Sequence, residues 1–550
     1  MSSGESVTTG EPFERVCRHL LDEILAGTLS RDDLESRKRA LCREFDAMAM
    51  PSNADILERA GPDERDEVEP VLRRKPVRTA SGVSPIAVMT SPERCPHGRC
   101  LYCPGGPDSE FSSAQSYTGK EPAAARGDQV DYDPYRQVTL RLSQLRHIGH
   151  PVDKAELILM GGTLPARSHD YQEWFVKRAL RAMNDFDPSD LITPEESLSV
   201  TPPTDFTYLE DVIARNERSS VRNIATTFET KPDWCGTEQI DRMLDLGGTK
   251  VELGVQTTFE RINREMNRGH GTDASISANR RLRDAGFKVG FHMMPGQPGS
   301  TQSMAVADIR RLFERADWRP DYLKLYPTLV VPGTVVYDWW RRGEYEPLDS
   351  TSAAELIATM KTYVPPYTRI QRVQRDIPAP LIEAGVQKSN LRQLAQDVLD
   401  ERGMRCRCVR CREAGLVDAT VEPDDLEMAI RRYEAVGGIE HFISVEDLER
   451  DILVGFCRLR FPGAPHRREL QGAAIVRELH VYGSEVPLGE QEDTWQHQGI
   501  GRRLMHTAEN IARQDGYEKV SVISGIGARQ YYREKLGYHQ DGPYVSTDLD

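Results

Sequence analysis

Long apolar runs are missing from this 550-residue chain. None approaches the roughly 20 residues that a membrane-spanning helix needs. Its first residues, Met1-Ser-Ser-Gly-Glu-Ser, carry neither the basic nor the apolar stretch of a signal peptide. A soluble, cytoplasmic protein is therefore expected. Cysteine is sparse, ten residues in all, and largely clustered. That argues against a disulfide framework and for metal ligation in a reducing compartment. Positive charge is also short: 71 Lys and Arg against 86 Asp and Glu leave a net charge of −15, which excludes a wholly basic nucleic-acid binder.

What basic charge there is gathers in Arg37-Lys38-Arg39 and in Arg73-Arg74-Lys75 with Arg78. Such runs are ordinarily solvated surface, yet beside a functional loop they can track phosphates while the remaining surface stays acidic. The acidic, arginine-rich balance also fits a high-salt adaptation. An apolar content of 38 % indicates a folded chain, and its length suggests about three domains.

Six cysteines form two groups. The first is Cys95-Pro-His-Gly-Arg-Cys100-Leu-Tyr-Cys103, followed by Pro104-Gly105-Gly106. Three thiols in one loop suit an iron-sulfur cluster with one iron left open for a small ligand. A structural zinc site would take a fourth protein ligand. A zinc knuckle or incidental buried thiols are the plainer alternatives. The second group is Cys406-Arg-Cys408-Val-Arg-Cys411. Zinc with a fourth ligand from elsewhere, His441 or a water, is the preferred reading, and a second iron-sulfur cluster the alternative. Cys17, Cys42, Cys235 and Cys457 read as ordinary buried thiols.

Residues 11 to about 60 place apolar side chains at helical spacing, among them Val16, Leu20, Leu21, Ile24, Leu34 and Leu41. From about 76 to 395, short apolar strands alternate with amphipathic helices. The strands are Leu157-Ile-Leu-Met160, Lys250-Val-Glu-Leu-Gly-Val255, Lys288-Val-Gly-Phe-His292 and Tyr322-Leu-Lys-Leu-Tyr326. That alternation predicts a parallel, open or closed α/β barrel with active groups at the carboxyl ends of its strands. Gly161-Gly162 closes the first of these strands, where glycine permits close backbone approach to a ligand.

The last 120 or so residues differ. Strands are expected at His441-Phe-Ile-Ser444, Ile452-Leu-Val-Gly-Phe456 and Ala474–Val481. The loop Gln496-His-Gln-Gly499-Ile-Gly501 then opens a helix to about Ala512, placing free N–H groups at a helix amino terminus, a pyrophosphate cradle. Another strand, Lys519–Ile523, and a helix carrying Tyr531-Tyr532 follow. The Q-x-x-G-x-G text resembles the coenzyme A loop of GNAT-type N-acetyltransferases, and the first cysteine loop resembles that of radical S-adenosylmethionine (SAM) enzymes. One departure is that four residues separate Cys95 from Cys100 where three are usual.

Over nearly its whole length the chain resembles the Elongator catalytic-subunit family. The matching text includes Gln115-Ser-Tyr-Thr-Gly-Lys-Glu-Pro122, Asn267-Arg-Gly-His270, Leu323-Lys-Leu-Tyr-Pro-Thr328 and Arg477-Glu-Leu-His-Val-Tyr-Gly483. The resemblance implies four parts: a helical RNA-binding region over 1–75, a radical SAM partial (β/α) barrel over 76–395, a cysteine-rich linker over 396–425 and an acetyltransferase-like α/β domain over 426–550. It implies carboxymethylation of the wobble uridine of transfer RNA. A 4Fe-4S cluster on Cys95, Cys100 and Cys103 would cleave SAM to a radical that activates the methyl group of acetyl-CoA. Glu478, Leu479, His480 and Val481 would line the acetyl-CoA site with Ile500, Gly501 and Arg502. Tyr532 would contact the thioester end, with Tyr531, Tyr532 and His480 the catalytic candidates; Lys154 would reach coenzyme A from the barrel, and Gly161 and Gly162 would receive SAM. Arg37, Arg73, Arg74 and Arg78 are the RNA-binding candidates. A monomer or homodimer without a larger complex is expected. Competing readings are a protein-lysine acetyltransferase with a structural iron-sulfur domain, a non-catalytic RNA scaffold, and a radical enzyme that inserts sulfur into RNA.

Overall fold

The computed structural model describes residues 10–74, 79, 81–190, 192–204, 207–417, 421–482 and 499–549. Arg78 and residues Gln496 to Gln498 of the coenzyme A-type loop lie outside these.

The front of the chain forms four helices, α1 (Glu11–Leu25), α2 (Leu34–Glu44), α3 (Asn53–Glu58) and α4 (Pro62–Leu72). The apolar stripe of α1 turns inward as its spacing demands, burying Phe13, Val16, Cys17, Leu20, Leu21 and Ile24. α3 starts on a capping box in which Ser52 and Asp55 satisfy each other's backbone N–H groups. Arg146 donates to Glu69 at 2.9 Å and Arg73 Nε to the Gly149 carbonyl at 2.7 Å, tying this bundle to the barrel.

Seven strands then run in chain order, all parallel: β1 (Ser84–Met89), β2 (Lys154–Met160), β3 (Arg222–Thr230), β4 (Lys250–Gln256), β5 (Lys288–Met293), β6 (Tyr322–Leu325) and β7 (Arg369–Arg372). This is an open partial barrel, and its helices cover the outer face. Alternate residues face opposite ways. On β4, Val251, Leu253 and Val255 are buried in the apolar layer beneath the helices, while Lys250, Glu252, Gly254 and Gln256 line cavities on the inner side.

The four strands expected from the sequence are present as β2, β4, β5 and β6. Three more, β1, β3 and β7, complete the sheet. β3 reads Arg-Asn-Ile-Ala-Thr-Thr-Phe-Glu-Thr and β7 only Arg-Ile-Gln-Arg, so neither shows the apolar run by which the others were recognised.

The second sheet has the order β13-β14-β12-β11-β10-β9-β8. Its strands are β8 (Leu426–Ala435), β9 (Gly438–Asp447), β10 (Ile452–Phe461), β11 (Ala473–Val481), β12 (Lys519–Val522), β13 (His539–Asp541) and β14 (Tyr544–Asp548). β8 escaped the sequence reading because it is a half-exposed edge strand, Ile430 being 49 % exposed. β11 and β12 pair in parallel only from Ala473 to Val476 and then part. The helix Ile500–Gln514 follows Gly499, whose φ of 76° is left-handed. Tyr531-Tyr532 sit in a short π-helical turn, Tyr531–Lys535, rather than an α-helix.

The two sheets meet through a buried charge network. Against β10 the register of β11 slips at Arg477, a bulge that turns this side chain toward the barrel. There it meets Asp321 and Glu440, while Arg460 holds Asp284 and Arg283 reaches Glu440 at 2.8 Å. All four arginines of this seam, Arg283, Arg458, Arg460 and Arg477, are fully buried.

Candidate active site

The first cysteine loop follows β1 and lies over the carboxyl ends of the barrel strands. Cys100 and Cys103 are buried and Cys95 half-buried. All three open on one cavity of about 140 Å³ with Gly162, Thr163, Lys231 and Met294. Hydrogen-bond donors surround the sulfurs. Gln115 Nε2 and the Ser116 N–H each donate to Cys103 Sγ at 3.2 Å, and Arg268 Nη1 donates to Cys100 Sγ at 3.3 Å. Burial pushes the Cys95 thiol up to about 11 and the His97 imidazole down to about 4. The Arg268 guanidinium beside Cys100 favours anionic sulfur there once a metal is bound.

Both glycines after β2 have positive φ, 122° at Gly161 and 94° at Gly162. A Cβ on Gly161 would fall 2.0 Å from Thr90 Oγ1, so this residue is pressed against the neighbouring loop. One on Gly162 would point at Gln115 and at Cys95 Sγ, 3.9 Å away. Gly162 is the one that faces the cavity.

The second cavity, about 650 Å³, lies between the sheets. The acetyltransferase-like part contributes Glu478, Leu479, His480, Tyr531 and Tyr532. The barrel contributes Lys154, Arg222, Lys250, Lys288 and Tyr322 from the amino ends of its strands. Glu478 accepts from Tyr322 Oη and from Arg458 Nε, the latter at 2.8 Å, so its carboxylate also holds the domains together. His480 stacks on Phe456 with ring centres 6.0 Å apart. Its Nε2 is buried without a hydrogen-bond partner among the described residues, and burial holds the ring below its usual pKa. Lys288 carries no ion pair among the described residues, and burial lowers its amine to about 8. Val481, Ile500, Gly501 and Arg502 do not line this cavity. Gly501 instead backs Tyr531, whose hydroxyl lies 3.0 Å from the site a Cβ would take. Ile500 is buried in the second core, and Arg502 is exposed.

Cys406, Cys408 and Cys411 converge beside the barrel core, their sulfurs all within 4.8 Å of one another. No described His, Cys, Asp or Glu joins them within that distance. His441 is not a fourth ligand: it sits on β9 with its ring 4.7 Å from Phe461. Its position in a strand that pairs on both sides fixes it there.

Among the arginine candidates for RNA, Arg37 is forked onto Glu23 and Arg73 donates from Nε to the Gly149 carbonyl. Arg74 is exposed. Residue-type reasoning left out Arg268 and the charged inner faces of β4 to β6. Arg268 lay in a matched stretch with no role attached. The inner charges were legible in strands already assigned, as every second residue of Lys-Val-Glu-Leu-Gly-Val-Gln.

A seven-stranded parallel half-barrel with a three-cysteine loop after its first strand, joined to a splayed mixed sheet, defines a radical SAM protein fused to an acetyltransferase fold. Family models agree: Radical SAM superfamily over 89–312, Radical_SAM C-terminal domain over 320–401, ELP3 N-terminal domain over 13–80 and Acetyltransferase (GNAT) domain over 492–548. The chain is 45 % identical to "tRNA uridine(34) acetyltransferase" of Methanocaldococcus jannaschii, covering 97 % of each chain. It is 41 % identical to "Elongator complex protein 3" of Saccharomyces cerevisiae over 96 % of this chain and 94 % of that one. Among solved structures, archaeal Methanocaldococcus infernus Elp3 with an N-terminal deletion superposes with a TM-score of 0.73 at 41 % identity, covering 85 % of this chain and all of that one. The chain belongs to the Elp3 family.

Membership of the radical SAM superfamily implies a 4Fe-4S cluster and SAM. Three thiols open to one cavity and donated hydrogen bonds by Gln115, Ser116 and Arg268 fit such a cluster.

Proposed function

We propose that this protein is a transfer-RNA wobble-uridine carboxymethylating enzyme that draws its two-carbon unit from acetyl-CoA and uses a SAM-derived radical. The relatives' names supply the substrate class. The observation that carries the reading to this chain is that the acetyltransferase cavity is half built from barrel residues, Lys154, Lys250, Lys288 and Tyr322. An independent lysine acetyltransferase would need none of them.

When bound by Cys95, Cys100 and Cys103, the cluster supplies the electron that cleaves SAM. The chain's own part is placement and proton handling. Gly162 leaves room beside the thiols for the amino-acid end of SAM, and the neighbouring Gly161 sets the turn. Lys154 offers an ammonium to coenzyme A from the barrel side, with Ile500, Gly501 and Arg502 at the helix amino terminus on the other. Buried Tyr532 closes the thioester end, Leu479 shapes the wall with Val481 packed against the core behind it, and Tyr531 covers Gly501. His480, held neutral, accepts a proton from the water that hydrolyses the thioester. Arg74 and Arg78 are the RNA contacts this reading keeps, while Arg37 serves the helical region's own packing and Arg73 ties that region to the barrel. The second cysteine group holds a metal, zinc in this reading, with a water at its fourth position. The enzyme works as a single chain or homodimer.

The test is nucleoside mass spectrometry after anaerobic incubation of the iron-reconstituted protein with reductant, SAM, methyl-labelled acetyl-CoA and transfer RNA. Label in carboxymethyluridine, absent with Cys100→Ala, supports the proposal. Acetyl transfer to lysine that survives Cys100→Ala would replace it.

A further inference from the structure

The two cavities lie at opposite ends of the same barrel strands. On β4, Lys250 lines the acyl-donor cavity and Glu252, the next inward residue, lines the cysteine cavity. Two residues along a strand span about 6.6 Å, and the Lys250 and Glu252 charges are 2.9 Å apart. Only one layer of side chains therefore separates the cavities. At its centre are Lys250, Glu252, Lys324 and Glu229, joined end to end: Lys324 Nζ pairs with Glu252 and, at 2.9 Å, with Glu229, and His292 Nε2 lies 3.0 Å from Glu252. Burial works against the Glu252 carboxylate, yet Lys324 and Lys250 outweigh it and hold its pKa well below the usual range.

A barrel lumen that served packing alone would be filled with layers of branched aliphatic side chains. Replacing buried ion pairs by such residues is often neutral or stabilising. This lumen is charged instead, and one of its inward positions, on β5, carries no side chain. Gly290, paired between Glu252 and Tyr322, has an inward position where a Cβ would come within 3.3 Å of both neighbours. No positive φ accounts for glycine there. Glycine keeps this inward position free of a side chain of its own, and the Glu252 and Tyr322 side chains pack over it while the ion pairs are closed.

Resting on the function proposed above, we propose that the barrel lumen is the passage by which the thioester arm of coenzyme A reaches the cysteine cavity, with the Lys250–Glu252–Lys324–Glu229 layer as its gate. The reaction needs the acetyl methyl group in contact with the radical site, while the coenzyme's binding groups lie at the other end of the strands. The arm is a narrow chain with two amide groups and a thioester carbonyl. Each requires hydrogen-bond partners, which ammonium and carboxylate groups provide and aliphatic walls would not. When the ion pairs part, their charges turn to the arm.

Gly290→Ala and Gly290→Val put a side chain into the middle of the layer, against Glu252 Cγ and Tyr322 Cβ, and so obstruct the passage. The first readout uses the full chain, iron-free, with bromoacetyl-CoA. A thiolate attacks the carbon bearing bromine, the C–S bond forms, and bromide leaves. Alkylation of Cys100 or Cys103 suppressed by acetyl-CoA is expected in the native sequence and lost in Gly290→Val. Alkylation of Lys288 or His480, and labelling of the cysteines by iodoacetamide, should persist and show that the variant is folded. In the loaded enzyme, label transfer to uridine should fall about a hundredfold, the scale of a misplaced reacting group, while coenzyme A binding and SAM cleavage are retained. Equal cysteine alkylation in Gly290→Val, or none in the native sequence while Lys288 or His480 reacts, overturns the passage. Capture at neither end overturns the acyl-donor reading and the passage together. Cysteine capture without label in uridine sinks the proposed function and leaves the passage standing.

Discussion

Arg477, turned inward by the bulge in β11, forks onto Asp321 just before β6, its two terminal nitrogens 2.7 and 2.8 Å from the two carboxylate oxygens. The pair is fully buried and joins the sheets.

Removing one partner should therefore be severe. Arg477→Met removes one of the two cations, the other being Arg283, that Asp321 and Glu440 share, and should destabilise the protein by about 3–5 kcal/mol. Acid acts at the same place. Burial alone would raise the Asp321 pKa, but Arg283 and Arg477 hold it far below the usual carboxylate range. A depressed folded pKa gives stability that is complete above about pH 4 and lost as pH falls below it. Thermal melts from pH 7 to pH 3 should show that loss in the native sequence and a shallower one in Arg477→Met.

Gly161 offers a backbone test. Its φ of 122° and the 2.0 Å approach to Thr90 Oγ1 both forbid a side chain. Gly161→Ala should cost about 1–3 kcal/mol in local strain and weaken SAM binding measured by calorimetry. Undiminished binding would remove this turn from the SAM site.

The role given to His480 predicts a pH profile. Burial holds its imidazole below the usual value of about 6.5. The unfolded chain then binds more protons, so the histidine's contribution to stability is present above about pH 6.5 and lost as pH falls. Acetyl-CoA hydrolysis should lose its rate on the same acid side. His480→Gln should slow it about 10²–10⁴-fold, the usual share of a general base, with coenzyme A affinity little changed. A variant with full rate would leave His480 only the stacking on Phe456.

Cys408 is the most buried thiol of the second group. Hydrogen bonds to it from Cys406 and Cys411 lower its pKa well below that of an ordinary thiol, which favours metal binding. Cys408→Ser should release one bound metal, read by elemental analysis, while the cluster absorbance of the first site remains. Loss of iron rather than zinc would make the second site an iron-sulfur centre.

Much of this was legible in residue order. The thiols of each group are close in sequence, so their grouping needed no fold. β4 and β5 showed themselves because apolar residues occupy every second position. β3 and β7 did not, since Thr, Arg and Gln fill positions whose burial only the neighbouring strands provide. His441 was a reasonable zinc ligand by composition but is committed to β9. The nearness of the two cavities was out of reach for another reason: Lys250 and Glu252 are neighbours in sequence, yet which cavity each one meets depends on a second sheet formed by residues more than 170 positions later.

The same spacing sets an order of assembly. Strands β1 to β7 pair only with sequence neighbours, so the half-barrel can form as it leaves the ribosome. At about 5–20 residues per second, the stretch from β7 to the last strand takes on the order of 10–35 s to synthesise. During that interval the lower mouth of the barrel faces water, and Asp284 and Asp321 are hydrated with none of β10 or β11 to meet them. Arg460 and Arg477 arrive late and seal it.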